Sequence, residues 1–165
     1  MADVTHYVAR IVAYTEGKDP VKMQREMPVL LLKLVDGAPK GKLKKQPAPG
    51  KWSVGEIIAH LAECEVATAW RYRQMLEHNG VSLQPFDQEE WDRLSDYAAW
   101  EPAEALALFH LLREANLRLL AKLTAEQWER HGVHAERGKL TVRDLARQMA
   151  GHDRNHLDQI RRILS

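Results

Sequence analysis

Two histidines four residues apart, His152 and His156 in "MAGHDRNHLDQI" at 149–160, are spaced to do chemistry together. On a helix, positions i and i+4 stack on one face and can reach a common ion. A pair alone does not make a site, so a third ligand must come from elsewhere in the fold. His60 is the candidate. It keeps three- and four-residue spacing with Val54, Ile57, Leu61, Cys64 and Met75, just as His152 and His156 keep it with Val142, Leu145, Met149, Ile160 and Ile163.

A lone histidine on an apolar stripe is by default a hydrogen-bonded core residue. Three of them directed inward from two helices need partners, because each unsatisfied buried polar group costs about 1–3 kcal/mol. One divalent ion would satisfy all three and keep open positions, as a catalytic metal requires. Water bound there would have its pKa lowered to about 7; a thiol would bind as thiolate.

The neighbours of these histidines leave several readings open. Glu63, three residues after His60, could accept an imidazole N–H, act as a base, or be a solvated helix residue. Cys64 could be a fourth ligand, although a small buried side chain is the commoner role. Asp153 and Asn155 lie off the inward face, and Trp52 packs the helix start or borders a pocket. A zincin would need Glu directly after the first histidine, where Asp153 stands. A di-iron bundle would need Glu-x-x-His pairs, which the third and fourth helices lack, so one ion is the expected count. His110, beside Phe109 and Leu112, reads as a structural residue near the core; His6, His78, His131 and His134 fall at helix ends or in loops and carry no site signal.

The elements that must position these residues read as helices throughout. A short amphipathic piece spans Thr5 to Glu16, and Pro20 opens a first long helix ending near "DGAPKG". That helix is expected to bury Met23, Met27, Leu30, Leu31 and Leu34, with Pro28 kinking it or dividing it in two. A lysine- and proline-rich connection over 38–51 precedes the second helix. There Ser53 and Glu56 form a capping box, and the helix runs to about Asn79. A shorter helical element lies between Gln84 and Trp100, and Pro102 starts a third long helix to about Leu123. Thr124 with Gln127, and Thr141 with Asp144, mark two further starts, the second opening a helix to the C-terminus. With no alternating β-branched runs, no sheet is expected, and the chain reads as one all-α domain over 1–165: a four-helix bundle with short additional helices.

At 165 residues the chain can bury a core without structural metal, so an ion would serve function. Its 24 basic and 23 acidic residues leave a formal charge of +1, which argues against nucleic acid and anionic membranes as partners. With one cysteine and no apolar leader or span, a soluble cytoplasmic protein is expected.

"KWSVGEIIAHLAECE" followed about ninety residues later by "AGHDRNHLDQI" resembles the DinB/YfiT-like superfamily of metal-dependent helical-bundle enzymes, over nearly the whole chain. The resemblance implies a bundle with a long crossover and a divalent ion, zinc or nickel, on His60, His152 and His156. It also implies a small-molecule substrate, with a low-molecular-weight thiol as cofactor in some members, and a homodimer for which Trp91, Tyr97 and Trp100 are candidate contacts. The motif does not select a reaction: a thiol-dependent S-transferase or a hydrolase is expected, with a non-catalytic metal- or ligand-binding bundle as the alternative. The catalytic residues beyond the ligands stay unassigned.

Overall fold

The computed structural model describes the backbone of residues 2–165 and the side chains from residue 6 onward. Helix α1 spans Ala2–Ala13, α2 Pro20–Asp36, the single turn α3 Lys40–Leu43 and α4 Val54–Glu77. Strand β1 (Val81–Leu83) leads into α5 (Gln88–Ser95) and a 3-10 turn over Tyr97–Ala99. The chain continues through α6 (Pro102–Leu120), α7 (Ala125–Glu129), β2 (His131–His134) and β3 (Gly138–Thr141) into α8 (Val142–Leu164). Helices α2, α4, α6 and α8 form the bundle: α4 packs chiefly on α6, α2 on both α6 and α8, and α1 lies against α8.

The helix starts follow from local chemistry. Asp19 caps α2 by accepting the N–H groups of Val21 and Lys22, with Pro20 at the first position. Reciprocal capping boxes open α4 (Ser53 and Glu56), α7 (Thr124 and Gln127) and α8 (Thr141 and Asp144). Helix α4 is buried on every side from Val54 to Ala62, so it is the central helix and not a one-striped surface helix.

Pro28 does not divide α2, which is one helix of 17 residues. A proline at 28 cannot donate to the carbonyl four residues earlier. That carbonyl, of Gln24, accepts instead from Nη1 of Arg113 at 3.1 Å. Arg113 is completely buried, and its guanidinium also reaches both oxygens of Asp153 (2.6 and 3.2 Å) and Oε1 of Glu65 (2.8 Å). Asn116 donates to the other oxygen of Glu65 at 2.9 Å, and Gln24 Nε2 donates to the Ala146 carbonyl at 2.8 Å. One polar cluster thus joins α2, α4, α6 and α8. Burial lifts the Asp153 carboxyl to about 6 while Arg113 draws it back, so it is ionised at neutral pH. Burial works against the Arg113 charge too, but the two carboxylates outweigh it and hold the guanidinium protonated.

Of the expected α2 core residues, Met27 and Leu31 are buried, while Met23, Leu30 and Leu34 are half-buried. The expectation of no sheet is corrected by a three-stranded sheet of order β1-β2-β3. β1 runs parallel to β2, pairing Leu83 with His134, and β2 runs antiparallel to β3. Its strands are too short to print an alternating pattern, and the parallel pair joins segments some fifty residues apart. Tyr97, expected as an exposed contact, is 1% exposed and packs in the core, and His110, expected near the core, is exposed on α6. Among the described residues no helix is long and apolar enough to cross a membrane.

Helix α1 approaches α8 at Gly151, where an added Cβ would stand 1.8 Å from the Ile11 carbonyl oxygen. Gly151→Ala is therefore expected to lower stability by about 1–3 kcal/mol, the cost of overpacking a filled contact. Gly41→Ala, with nothing within 4 Å of its Cβ position, should stay within about 0.5 kcal/mol when the two variants are compared by urea titration. Arg113→Ala strands two buried carboxylates and should cost about 3–5 kcal/mol.

Candidate metal centre

The inward face of α8 carries His152 and His156, and α4 presents His60 opposite them. His60 Nε2 lies 3.2 Å from His152 Nε2, and His156 Nε2 lies 3.2 Å from the same atom. In a tetrahedral shell with bonds of about 2.0–2.1 Å, neighbouring nitrogens stand about 3.3 Å apart. Two-centre hydrogen bonds do not account for both contacts. Gln159 Oε1 takes the Nδ1–H of His156 at 3.0 Å, which leaves the lone pair of His156 on Nε2. If His152 donates its Nε2–H to His156, the His60 contact is left at best a shared, three-centre one, so at most one of the two is an ordinary two-centre bond. His152 Nδ1 is in addition buried with no partner. A cation beside these lone pairs would satisfy both contacts, so the donor set, with Cys64 next to it, fits a divalent ion.

The histidines are kept neutral. Burial pushes His60 and His152 well below the usual imidazole range, with His156 adding to the shift in both. Burial takes His156 down to about 4 against the opposing bond from Gln159. Neutral imidazoles offer lone pairs at physiological pH.

Cys64, one turn after His60, comes closer than its sequence position required. Its Sγ is 3.5 Å from His60 Nε2, and the ligand atoms of His60, Cys64 and His152 lie within 4.8 Å of one another. Burial, then Glu65 and Asp153, push its thiol pKa strongly upward, so without an ion it stays protonated and is a weaker donor than His156. Glu63 faces away from this cluster: Ser95 Oγ and Tyr97 Oη donate to its two oxygens at 2.9 and 3.1 Å. Asp153 is committed to Arg113, as described, and Asn155 lines the cleft edge. Trp52 stacks on His60 with ring centroids 4.7 Å apart, while its Nε1 donates to Asp92 at 2.7 Å. It both packs the helix start and borders the site.

The three histidines open into a cleft of about 540 Å³, within the range of small-molecule sites. The cleft is also lined by residues without a site signal in the sequence: His134 at the end of β2, Glu136 and Arg137 in the hairpin turn, and Arg71 on α4. His134 is 1% exposed, in place of the loop position expected for it. The alternation in "HGVH", with Gly132 and His134 buried and Val133 exposed, was the available signal.

A family model described as the DinB superfamily matches residues 25–160. YfiT of Bacillus subtilis is 24% identical over 159 residues, 95% of this chain and 89% of YfiT. OB0782 of Oceanobacillus iheyensis, named as a candidate metal-dependent hydrolase, is 28% identical over 136 residues, 82% of this chain and 78% of that protein. The solved structure of YfiT, described as a probable metal-dependent hydrolase with an unusual four-helix bundle topology, has a TM-score of 0.81 at 23% identity, covering 87% of this chain and 83% of that one. A mycothiol-dependent maleylpyruvate isomerase shares the fold more distantly, with a TM-score of 0.62 at 12% identity; the match covers 88% of this chain but 59% of the isomerase.

The lowered imidazoles make stability pH-dependent in metal-free protein. The unfolded chain takes up protons near pH 6.5 while folded His60, His152 and His156 do not, so stability is full above that pH and falls as the pH drops toward 4. Each histidine contributes at most about 1.4 kcal/mol per pH unit. Asp153, raised in the fold, acts with opposite sign below about pH 6 but is one group against three. The melting temperature of chelator-treated protein should therefore fall between pH 7.5 and 5, and more shallowly for His156→Gln.

Proposed function

The chain belongs to the DinB superfamily, and from that premise we propose that it is a metal-dependent hydrolase of a small molecule, with its divalent ion on His60, His152 and His156. The observation that carries the reading is the pair of 3.2 Å contacts made by His152 Nε2, of which at most one is an ordinary two-centre hydrogen bond, in an open cleft. Such an ion would supply Lewis-acid chemistry, lowering the pKa of a water or thiol in reach of the substrate. The names of YfiT and OB0782 as metal-dependent hydrolases agree with it.

The residues of the chain have separate tasks in this reading. Gln159 holds His156 in the tautomer that presents Nε2 to the site. Trp52 covers one face of His60 and keeps that ring from turning. Arg113 binds Asp153 and so fixes the turn of α8 that carries His152. Two carboxylates near the histidines, Asp153 and Glu63, are already engaged by Arg113 and by Ser95 and Tyr97, and among the described residues Glu136 is the one carboxylate in the cleft wall. Activation of a nucleophile at the histidine cluster is the route this reading uses, because the carboxylates beside that cluster are engaged and Glu136 lies by Arg137 in the β2–β3 turn. The same property supports a second reading, transfer to a low-molecular-weight thiol, because a thiol held there would need no separate base; the mycothiol-dependent isomerase has the same fold.

The test separates metal, fold and reaction. Zinc or nickel should bind at one ion per chain, and His60→Ala should lose most of it while the helical circular-dichroism signal remains. His156→Gln should weaken binding at least about tenfold, as an amide oxygen is a poorer ligand for a borderline ion. Turnover of ester or amide substrates without added thiol supports hydrolysis, turnover of electrophiles only with thiol supports the transferase reading, and wild-type protein that binds neither metal overturns both.

A further inference from the structure

The part of the cleft around His134 is cationic in balance: it holds Arg71 and Arg137 against one carboxylate, Glu136. Arg71 is buried on α4; its Nη2 donates to the Gln84 carbonyl at 2.7 Å and its guanidinium lies over the Phe86 ring. Arg137, in the turn between β2 and β3, donates to Gln148 Oε1 at 3.1 Å. Among the described residues neither guanidinium has a carboxylate within ion-pair distance. Beside them, His134 accepts the Glu136 N–H at its Nδ1 (3.2 Å), which puts its proton on Nε2. That Nε2–H is buried and has no partner.

Like charges gathered in a partly desolvated cleft repel, and an unpaired buried donor costs free energy, so an anion bound there would stabilise the cluster. The repulsion is visible at Arg71, whose pKa is lowered by burial and then by Arg137, and at His134, lowered by burial and then by both arginines. Guanidiniums and an imidazole N–H have one complement, an anionic oxygen group that accepts several hydrogen bonds at once.

We infer that Arg71, Arg137 and His134 form an anion cradle that holds a carboxylate or phosphate of the substrate, with the substrate's other end at the three histidines. The inference rests on the metal-dependent reading for the orientation of the ligand, while the cradle itself needs no ion. It narrows the substrate to small molecules with an anionic group at one end and the reacting group at the other, short enough for a cleft of about 540 Å³.

The experiment is calorimetry on chelator-treated protein at low ionic strength with glutarate, inorganic phosphate and the neutral diamide glutaramide. Glutarate or phosphate should bind saturably and glutaramide should not; the tighter of the two anions identifies the group. Arg137→Gln, in an exposed turn and so safe for folding, should weaken that binding at least about tenfold, with Arg137→Lys in between. Zinc binding by Arg137→Gln should equal that of wild type, which separates this result from any failure of the metal site. Absence of saturable binding of either anion, equal binding of glutaramide, or full affinity in Arg137→Gln would overturn the cradle.

Discussion

The structure depends on one buried guanidinium. Arg113 touches α2 through the Gln24 carbonyl, α4 through Glu65 and α8 through Asp153, from its own place on α6. A buried ion cluster is weak support for stability when compared with an apolar core, but it tolerates only one register, since sliding any helix by a turn would leave a charge unpaired. Its geometry also explains the proline in α2. Pro28 withdraws a donor from Gln24, and the freed carbonyl is what the guanidinium uses, so a defect in one helix serves as a binding point for another.

The same register decides where the candidate site lies. Asp153 and His152 are adjacent in sequence and point in different directions, one to Arg113 and one to the histidine cluster, so locking the first aims the second. Glu65 and Cys64 repeat this on α4. The small sheet brings His134, and the turn after it Glu136 and Arg137, to the cleft beside Arg71 of α4, so that neutral lone pairs and cationic donors line one space.

Much of this was legible in the chain because it is local. Capping boxes act over three residues, and the inward spacing of His60, His152 and His156 acts over one or two turns, so both were readable without tertiary knowledge. What escaped depends on distant pairing. Strand β1 finds β2 some fifty residues later, and that pairing buries His134; nothing near His134 except a three-residue alternation announces it. Arg113 escaped for a related reason. A charged residue on a helix is expected to face water unless its partners are known, and here the partners come from three other helices. Tyr97 and Glu63 likewise acquired their roles from each other.

The stacking of Trp52 on His60 has a spectroscopic meaning. An indole in van der Waals contact with an imidazole loses excited-state energy to it once the imidazole is protonated, and to an open-shell ion attached to it, whereas a closed-shell ion leaves the emission largely intact. The chain has five tryptophans, but Trp52 is the one stacked on this ring, held in place by Asp92. The fold therefore contains its own optical probe of the state of His60: nickel and zinc would be told apart by brightness, and the titration of that one ring could be followed without any label.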